Sequence, residues 1–285
     1  MSEADAPFGL RRLAGATVEV PDPAATAAFL RDALRFEIRE GAEGPVAVCD
    51  GDYGGAHQAA IRLREGPATE LGDLIFEVTG GLDELPARLE SARLAAEVGA
   101  DGVSFTDPSG VGIRCREPEA VERPEPEPLR PRRLGHVNLK ATDPGAAAGF
   151  WQETMGMRLS EQIGEGLYFL RINSEHHNVG LRPGERGTLH HMGFEVEGWH
   201  SYEPILDRIS ALGHRVEYGP GRHTPGNNIF TYLLEPSSGL RIELFADMAQ
   251  IVDAVDHVPA RWEAGDRMKQ TLNRWGPLPP ESFLA

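Results

Sequence analysis

The sequence predicts an α+β fold of four βαβββ modules in two tandem domains, and three internal repeats support this prediction. In the first repeat, a strand-like pattern ends at an Asp-Pro pair and a helix-like stretch follows, beginning at Asp22 and again at Asp143. These two residues are 121 positions apart, as are Phe29 and Phe150. An Asp-Pro pair can cap a helix and place proline in its first turn. A fixed spacing of this kind indicates duplicated structural units.

The other two repeats lie inside each half. Residues 73–78 (DLIFEV) parallel residues 191–196 (HMGFEV), and each segment precedes a stretch with helical apolar spacing, near residues 82–94 and 202–212. Each half then ends in a strand after an acidic-Pro turn, which reads DPSG in the first half and EPSSG in the second. Each half therefore contains two modules.

A segment rich in proline and charge, ERPEPEPLRPRR, separates the two halves. Its prolines disfavour a helix and its charges disfavour burial, so it is typical of a linker. The sequence thus predicts an N-terminal domain over residues 1–120, a linker over 121–133, and a C-terminal domain with a tail over 134–285.

Composition limits the classes of partner. The formal net charge is −16, and a surface this acidic repels nucleic-acid phosphates and anionic lipid. No apolar run is long enough to span a bilayer, and no secretory signal pattern precedes the first repeat. With only two cysteines and no spaced pair, the chain is expected to be cytoplasmic, without disulfides or a cysteine-based zinc site.

Three strands of the second half can bring metal ligands together. Side chains alternate across a strand. His136, His191 and Glu243 therefore fall on the polar faces of segments whose other faces are apolar. Two imidazoles and one carboxylate form the facial triad of non-heme Fe(II) oxygenases, which leaves positions open for substrate and O2.

Each of these residues taken alone is more often a surface or satisfied core residue than a ligand. Their joint placement at equivalent positions of the repeat favours a metal site. The first half has Gly15, Asp73 and Arg114 at those positions, where glycine offers no ligand and arginine carries a repelling cation. We therefore interpret the first half as a copy without a metal site.

The four-module pattern resembles the vicinal oxygen chelate superfamily from about residue 10 to residue 247, with glyoxalase/extradiol dioxygenase-like domains. The second half resembles the type I extradiol ring-cleavage dioxygenases, which include catechol 2,3-dioxygenases and biphenyl-diol dioxygenases. The matching pieces are a Leu-His-His run (189–191), a Gly-x-His segment (221–223), Tyr232, the acidic-Pro turn (235–236) and Glu243. The sequence differs from the family motif at two places, and neither removes a reacting side chain. Thr231 replaces an aliphatic residue, and the acidic-Pro turn is one residue longer than its commonest form.

The resemblance also implies roles around the metal. His177 matches the acid–base histidine, His223 would hydrogen-bond the substrate oxygens, and Tyr232 would orient a ring hydroxyl. Strand alternation predicts that His190 faces away from His191 and that His176 faces away from His177. The remaining histidines of the second half receive no function and are expected at the solvated surface: His200, His214 and His257.

The resemblance implies that O2 opens a catechol-type aromatic diol beside its hydroxyls, giving a muconic semialdehyde-type product in aromatic hydrocarbon catabolism. It implies a mononuclear Fe(II) centre, with Mn(II) as the alternative, and a homo-oligomer. Monocyclic catechols, bicyclic diols and hydroquinones all fit the motifs. Two alternatives keep the fold: a metal-dependent glyoxalase-like isomerase or epimerase, and a non-enzymatic protein that sequesters a ligand.

Overall fold

The computed structural model describes residues 8–49, 60–118, 127, 129–252, 256–263 and 272–284. Within these residues the chain forms two mixed sheets with few helices. Each sheet comes from two consecutive modules, and each module has one strand, one helix and three further strands. The predicted α+β fold of four βαβββ modules is confirmed.

The first sheet has eight strands, and the first strands of its two modules are antiparallel neighbours near its centre. Its strand order is β2-β3-β4-β1-β5-β8-β7-β6. The elements are β1 (Leu10–Val20), α1 (Pro23–Leu34), β2 (Glu37–Gly41), β3 (Gly44–Val48), β4 (Ala60–Glu65), β5 (Glu70–Val78), α2 (Leu85–Ser91), β6 (Glu97–Gly99), β7 (Gly102–Thr106) and β8 (Gly112–Arg116).

The second sheet repeats this arrangement and adds a ninth strand at its edge, in the order β14-β15-β16-β13-β9-β12-β11-β10-β17. Its elements are β9 (Arg133–Ala141), α3 (Pro144–Glu153), β10 (Arg158–Ile163), β11 (Leu167–Arg171), β12 (Val179–Pro183), β13 (Leu189–Glu195), α4 (Tyr202–Ala211), β14 (Val216–Arg222), β15 (Ile229–Leu234), β16 (Arg241–Ala246), β17 (Ala260–Trp262) and α5 (Glu281–Leu284). The three strands that carry the predicted ligands, β16, β13 and β9, are immediate neighbours.

The predicted linker lies largely outside the described residues, because positions 121–126 and 128 are not among them. The first sheet ends at Arg116 and the second begins at Arg133. The domain boundaries at residues 120 and 134 therefore stay predictions. Among the described helices, none combines the length and apolar character that a membrane crossing requires.

Both Asp-Pro pairs begin helices as the sequence predicts. The Asp22 carboxylate accepts a hydrogen bond from the Ala25 amide at 2.9 Å, and Asp143 accepts one from Ala146 at the same distance. In each case the following proline occupies the first helical turn, where its missing N–H costs no hydrogen bond. A side-chain cap of this kind stabilises a helix by about 1 kcal/mol.

The two acidic-Pro turns join the halves reciprocally. The Asp107 carboxylate, in the turn between β7 and β8 of the second module, accepts a hydrogen bond from the indole N–H of Trp151 in α3 at 3.2 Å. The Glu235 carboxylate, at the equivalent turn of the fourth module, accepts one from the Thr26 hydroxyl in α1 at 3.2 Å. The second module thus packs on the third, and the fourth packs on the first.

Two arginines strengthen the same interface. The Arg88 guanidinium of α2 donates to the Thr154 carbonyl at the end of α3, at 2.8 Å. The Arg208 guanidinium of α4 donates to the Ala33 carbonyl in the last turn of α1, at 2.9 Å. Helix C-termini expose carbonyls without helical partners, and a cation is favourable there. The repeat therefore also duplicates the contacts that join the two halves.

We expect the substitution Asp107→Ala to destabilise the chain by about 2–4 kcal/mol, because it leaves the buried Trp151 N–H and the Val111 amide without their acceptor. Urea unfolding followed by circular dichroism measures this loss. Asp101→Ala, at an exposed turn in the same module, is the matched control and should stay within about 0.5 kcal/mol of the wild type. Equal stability of the two variants would contradict the role of Asp107.

Candidate metal centre

The candidate metal ligands lie on three adjacent strands. The register places His136 of β9 opposite Gly193 of β13, and Gly193 opposite Glu243 of β16. His191 lies two residues before Gly193 and faces the same side of the sheet. The three side chains, all buried, offer ligand atoms that lie within 4.8 Å of one another.

The absence of a side chain at Gly193 lets this cluster form. A Cβ atom at this position would lie 2.1 Å from Cε1 of His136, within the volume that the imidazole occupies. Through this gap the His136 ring reaches Glu243, with its Nε2 3.0 Å from Oε2. The equivalent position of the first sheet carries Ile75, which pairs with Gly15 and Arg114 as Gly193 pairs with His136 and Glu243.

The spacing of the donor atoms fits a small divalent metal ion. Oε2 of Glu243 lies 3.0 Å from Nε2 of His136 and 3.1 Å from Nε2 of His191. Adjacent ligands of an octahedral ion with bonds of about 2.1 Å are separated by about 3 Å. Two imidazoles with one carboxylate are the donor set of non-heme Fe(II) sites. The residues present therefore fit Fe(II) or Mn(II).

Charge and burial favour a neutral imidazole facing an ionised carboxylate. Burial lowers the pKa of His191 to about 4, although the facing Glu243 acts in the opposite direction. Burial acts to raise the pKa of Glu243, but His136 and His191 hold it well below its ordinary value. The amide of Asn228 donates to Oε1 of Glu243 at 3.0 Å, which leaves Oε2 toward the imidazoles. Neutral imidazole and carboxylate are the forms that ligate metals.

The equivalent positions of the first sheet hold no such cluster. Asp73 and Arg114 face each other across β5 and β8 with 3.6 Å between the guanidinium and the carboxylate, and both are partly exposed. Gly15 contributes no side chain. Among the described residues, the His136, His191 and Glu243 group is the one set of three that could hold a metal.

A cavity next to the three ligands contains the other predicted site residues. His177, His223 and Tyr232 line it together with His191 and Glu243. The structure thus brings together all the residues to which the sequence assigns a function, with His136 directly behind the cavity wall, its ring centroid 4.6 Å from that of His177.

His177 lies in the loop between β11 and β12, not on a strand, so strand alternation does not govern it. Its Nδ1 atom is 3.0 Å from Nδ1 of His176, and Nε2 of His176 lies 3.3 Å from a carboxylate oxygen of Glu161. His176 is buried rather than solvated and contacts the ring of His177 directly. Burial, followed by the neighbouring His136, holds the pKa of His177 well below its ordinary value.

The prediction that His190 faces away from His191 is wrong. Both rings line the cavity, and their Nδ1 atoms are 2.7 Å apart. The pairing of β13 with β9 shifts between Leu189 and His191, and a register shift of this kind interrupts the alternation of side chains. His190 is therefore a direct neighbour of a candidate ligand.

His223 and Tyr232 form a hydrogen-bonded pair on the cavity wall. Nδ1 of His223 lies 2.6 Å from the Leu272 carbonyl, which can only accept, so this nitrogen carries the proton. Burial lowers the pKa of His223 and so favours the neutral ring, whose bare Nε2 accepts from the Tyr232 hydroxyl at 3.0 Å. Burial, aided by Glu243, raises the pKa of Tyr232 well above its ordinary value and keeps it a phenol.

Several cavity residues had no role in the sequence analysis. Asn138 shares the polar face with His136, and its position on β9 was a signal that could have identified it. Asn228, Arg182 and the C-terminal Phe283 gave no local signal, because chain segments distant in sequence bring them to the cavity. Apolar side chains form the remaining wall: Leu167, Phe169, Pro225, Leu272 and Leu284.

The three histidines without an assigned function lie away from the cavity lining. His200 is exposed and lies 3.5 Å from Glu197. His214 packs edge-on against Phe29 in α1, with 5.0 Å between ring centroids, and so belongs to the interface between the halves. Nε2 of His257 contacts the Ser160 carbonyl at 2.9 Å. Of these three histidines, His200 agrees best with the predicted position at the solvated surface.

Comparisons with known proteins agree with this geometry. The family described as Glyoxalase/Bleomycin resistance protein/Dioxygenase superfamily matches residues 133–244, which include all three candidate ligands. Metapyrocatechase 2 of Cupriavidus necator is 28% identical over 300 residues, which cover 94% of this chain and 89% of that protein. The manganese-dependent 2,3-dihydroxybiphenyl 1,2-dioxygenase of Geobacillus genomosp. 3 is 27% identical over 175 residues, which cover 58% of this chain and 55% of that protein.

One solved structure illustrates the shared fold. The Mn(II)-bound glyoxalase from Novosphingobium aromaticivorans has a TM-score of 0.82 at 22% identity, covering 96% of this chain and 94% of that one. At this identity the likeness establishes the fold alone. The tandem four-module architecture is thus shared with a protein that holds a metal in the same fold.

We expect Gly193→Ala to reduce Mn(II) binding at least tenfold, because the added methyl group occupies the volume of the His136 ring and displaces it. Equilibrium dialysis against Mn(II) measures the effect. Gly149→Ala is the matched control, since a Cβ atom in α3 at this position meets no atom within 4 Å. Wild-type Mn(II) binding by the Gly193 variant would rule out the proposed dependence of the cluster on this glycine.

Proposed function

We infer that this chain is an extradiol ring-cleavage dioxygenase that acts on a catechol-type diol with O2. Its residues 133–244 match the Glyoxalase/Bleomycin resistance protein/Dioxygenase superfamily. The observation that carries this proposal is the convergence of two imidazoles and one carboxylate beside a cavity lined by further histidines and a tyrosine. The names of the two curated relatives support the same reaction class.

We propose that His136, His191 and Glu243 hold Fe(II), with Mn(II) as the alternative. When bound, such an ion offers open coordination positions at which both oxygens of a diol and O2 can meet. The carboxylate of Glu243 offsets part of the charge of the ion, and Asn228 orients this carboxylate through its hydrogen bond to Oε1.

His223 and Tyr232 would position the diol. The Tyr232 hydroxyl lies within hydrogen-bonding distance of His223, and both side chains line the cavity beside Glu243. Since Tyr232 stays protonated, it can donate to a substrate oxygen that carries negative charge, and such charge-assisted hydrogen bonds are stronger than neutral ones. The apolar wall around Phe169 and Leu272 accommodates an aromatic ring and excludes water.

His177 would transfer the proton. The Glu161 carboxylate lies 3.3 Å from Nε2 of His176, and its negative charge favours a proton on that nitrogen. Nδ1 of a neutral His176 can then accept from Nδ1 of His177, 3.0 Å away. The other nitrogen of His177 is then bare and can take a proton from a substrate hydroxyl and return it as the ring opens. Burial keeps this imidazole neutral before the substrate binds, as a proton acceptor requires.

The proposal includes a homo-oligomer in a reducing compartment such as the cytoplasm. The chain has only two cysteines, Cys49 and Cys115, and both are buried, as is common in proteins of such compartments. Trp199 and Trp275 are about half exposed and touch each other with 5.5 Å between ring centroids. Exposed aromatic side chains of this kind are enriched at protein interfaces.

Protein purified without oxygen and reconstituted with Fe(II) should hold about one ion per chain and turn catechols into coloured ring-opened products in air. Substituting alanine for His136, His191 or Glu243 should remove both the iron and the product absorbance. Iron analysis and a panel of monocyclic, bicyclic and hydroquinone substrates test this. Asp73→Ala, at the position of the first sheet equivalent to His191, is the matched control and should keep its iron. Full iron in the His136 variant would falsify the ligand assignment.

We expect His177→Asn to keep iron and lower kcat by about 10²–10⁴, because it removes a general acid–base group and leaves the ligands in place. Steady-state kinetics with iron analysis on the same sample separate these effects, and the loss should fall on kcat rather than KM. His200→Asn, at an exposed histidine outside the cavity, is the control and should match the wild type. Loss of iron in the His177 variant would mean that His177 is itself a ligand.

A further inference from the structure

The C-terminal helix α5 is anchored beside the candidate metal centre through its backbone carbonyls. The carbonyl of Ser282 accepts from Arg241 at 2.9 Å, and that of Leu284 accepts from Arg182 at 3.2 Å. The carbonyl between them, on Phe283, lies 2.7 Å from Nε2 of His190. Three side chains from three different strands thus bind three successive carbonyls.

The Phe283 ring secures this position. It lies 4.9 Å from the His190 ring and 4.6 Å from the Tyr232 ring, measured between centroids, and it is almost fully buried. Aromatic pairs at these distances stabilise a cluster beyond the area that they bury. Helix α5 is therefore part of the cavity wall.

The contact with Phe283 determines which nitrogen of His190 carries a proton. A carbonyl only accepts, so Nε2 of His190 must donate. In the neutral ring Nδ1 is then bare, and it lies 2.7 Å from Nδ1 of His191. Nδ1 of His191 must be the donor in that contact, which leaves Nε2 of His191 bare and directed at the metal position.

The two candidate imidazole ligands are held in different ways. His136 is confined by the gap at Gly193 and by the ring of Phe245 at 4.8 Å, and among the described residues its Nδ1 has no hydrogen-bond partner. His191 depends on a hydrogen bond to His190. Groups that orient a ligating histidine through its second nitrogen typically contribute 10–100-fold to metal affinity.

We propose that His190 is a positioning residue that fixes His191 in its metal-binding tautomer, and that the C-terminal helix α5 sets His190 through the Phe283 carbonyl. The inference rests on the metal site of the proposed function and not on the reaction carried out there. The proposal makes helix α5 part of the metal centre, although Phe283 lies more than ninety positions from His190 in the sequence.

The test uses Mn(II) as the probe and measures its dissociation constant by competition with a chelator. His190→Leu should weaken Mn(II) binding 10–100-fold. His190→Asn keeps an acceptor near the position of Nδ1 and should stay within about fivefold of the wild type. His190→Gln places its amide near the position of Nε2, keeps only the contact with Phe283, and should be as weak as His190→Leu.

This pattern separates positioning from a structural role. A purely structural histidine would give losses that follow the thermal stability of each variant, which is measured on the same samples. Wild-type affinity in His190→Leu would overturn the proposal, as would equal affinities in the Asn and Gln variants.

The contribution of the C-terminal helix is tested in the full-length chain. Phe283→Ala should release the carbonyl from His190 and weaken Mn(II) binding about tenfold. Combined with His190→Leu it should add no further loss, because residues that act through one contact are not additive. Leu278→Ala, at a half-exposed position of the same tail, is the control and should bind Mn(II) normally. Additive losses in the double variant would refute the link through His190.

The outcomes also separate this proposal from the proposed activity. Wild-type protein that binds Mn(II) but opens no catechol would refute the dioxygenase assignment, and the order of affinities among the His190 variants would still decide the positioning role. Wild-type protein that binds neither Mn(II) nor Fe(II) would overturn both.

Discussion

The missing side chain at Gly193 is the constraint on which the candidate centre depends. It lies between His136 and Glu243 in one row across three strands, and only a glycine leaves the imidazole room to reach the carboxylate. The equivalent row of the first sheet has Ile75 at its centre and a partly exposed ion pair beside it. Among the described residues, the same backbone row therefore carries three candidate ligands in the second half and no such set in the first.

The first half has a structural task. Its acidic-Pro turn and its helix ends exchange hydrogen bonds with the second half in a reciprocal pattern, Asp107 with Trp151 and Glu235 with Thr26. A duplicated sequence folds into duplicated surfaces, and here these surfaces contact each other reciprocally. The first half can thus carry other residues at the ligand positions and keep the contacts that join it to the second.

Two pairs of consecutive histidines lie at the centre. His176 contacts His177, and His190 contacts His191, in both cases through their Nδ1 atoms. Strand alternation predicted that His176 and His190 would face away from their neighbours. That rule requires a regular strand, and the first pair lies in a loop while the second lies at a register shift. Irregular backbone is what allows two consecutive imidazoles to approach each other.

The sequence by itself determined the four modules, the helix starts at Asp22 and Asp143, and the convergence of His136, His191 and Glu243. These features follow from repeat spacing, capping chemistry and the two-residue period of strands, all of which are local. Only the tertiary structure decided the orientation of His190, the hydrogen bond from Asn228 to Glu243, and the return of Phe283 to the cavity. Each of these depends on a register shift or on contacts between distant segments, and no short-range pattern encodes such contacts.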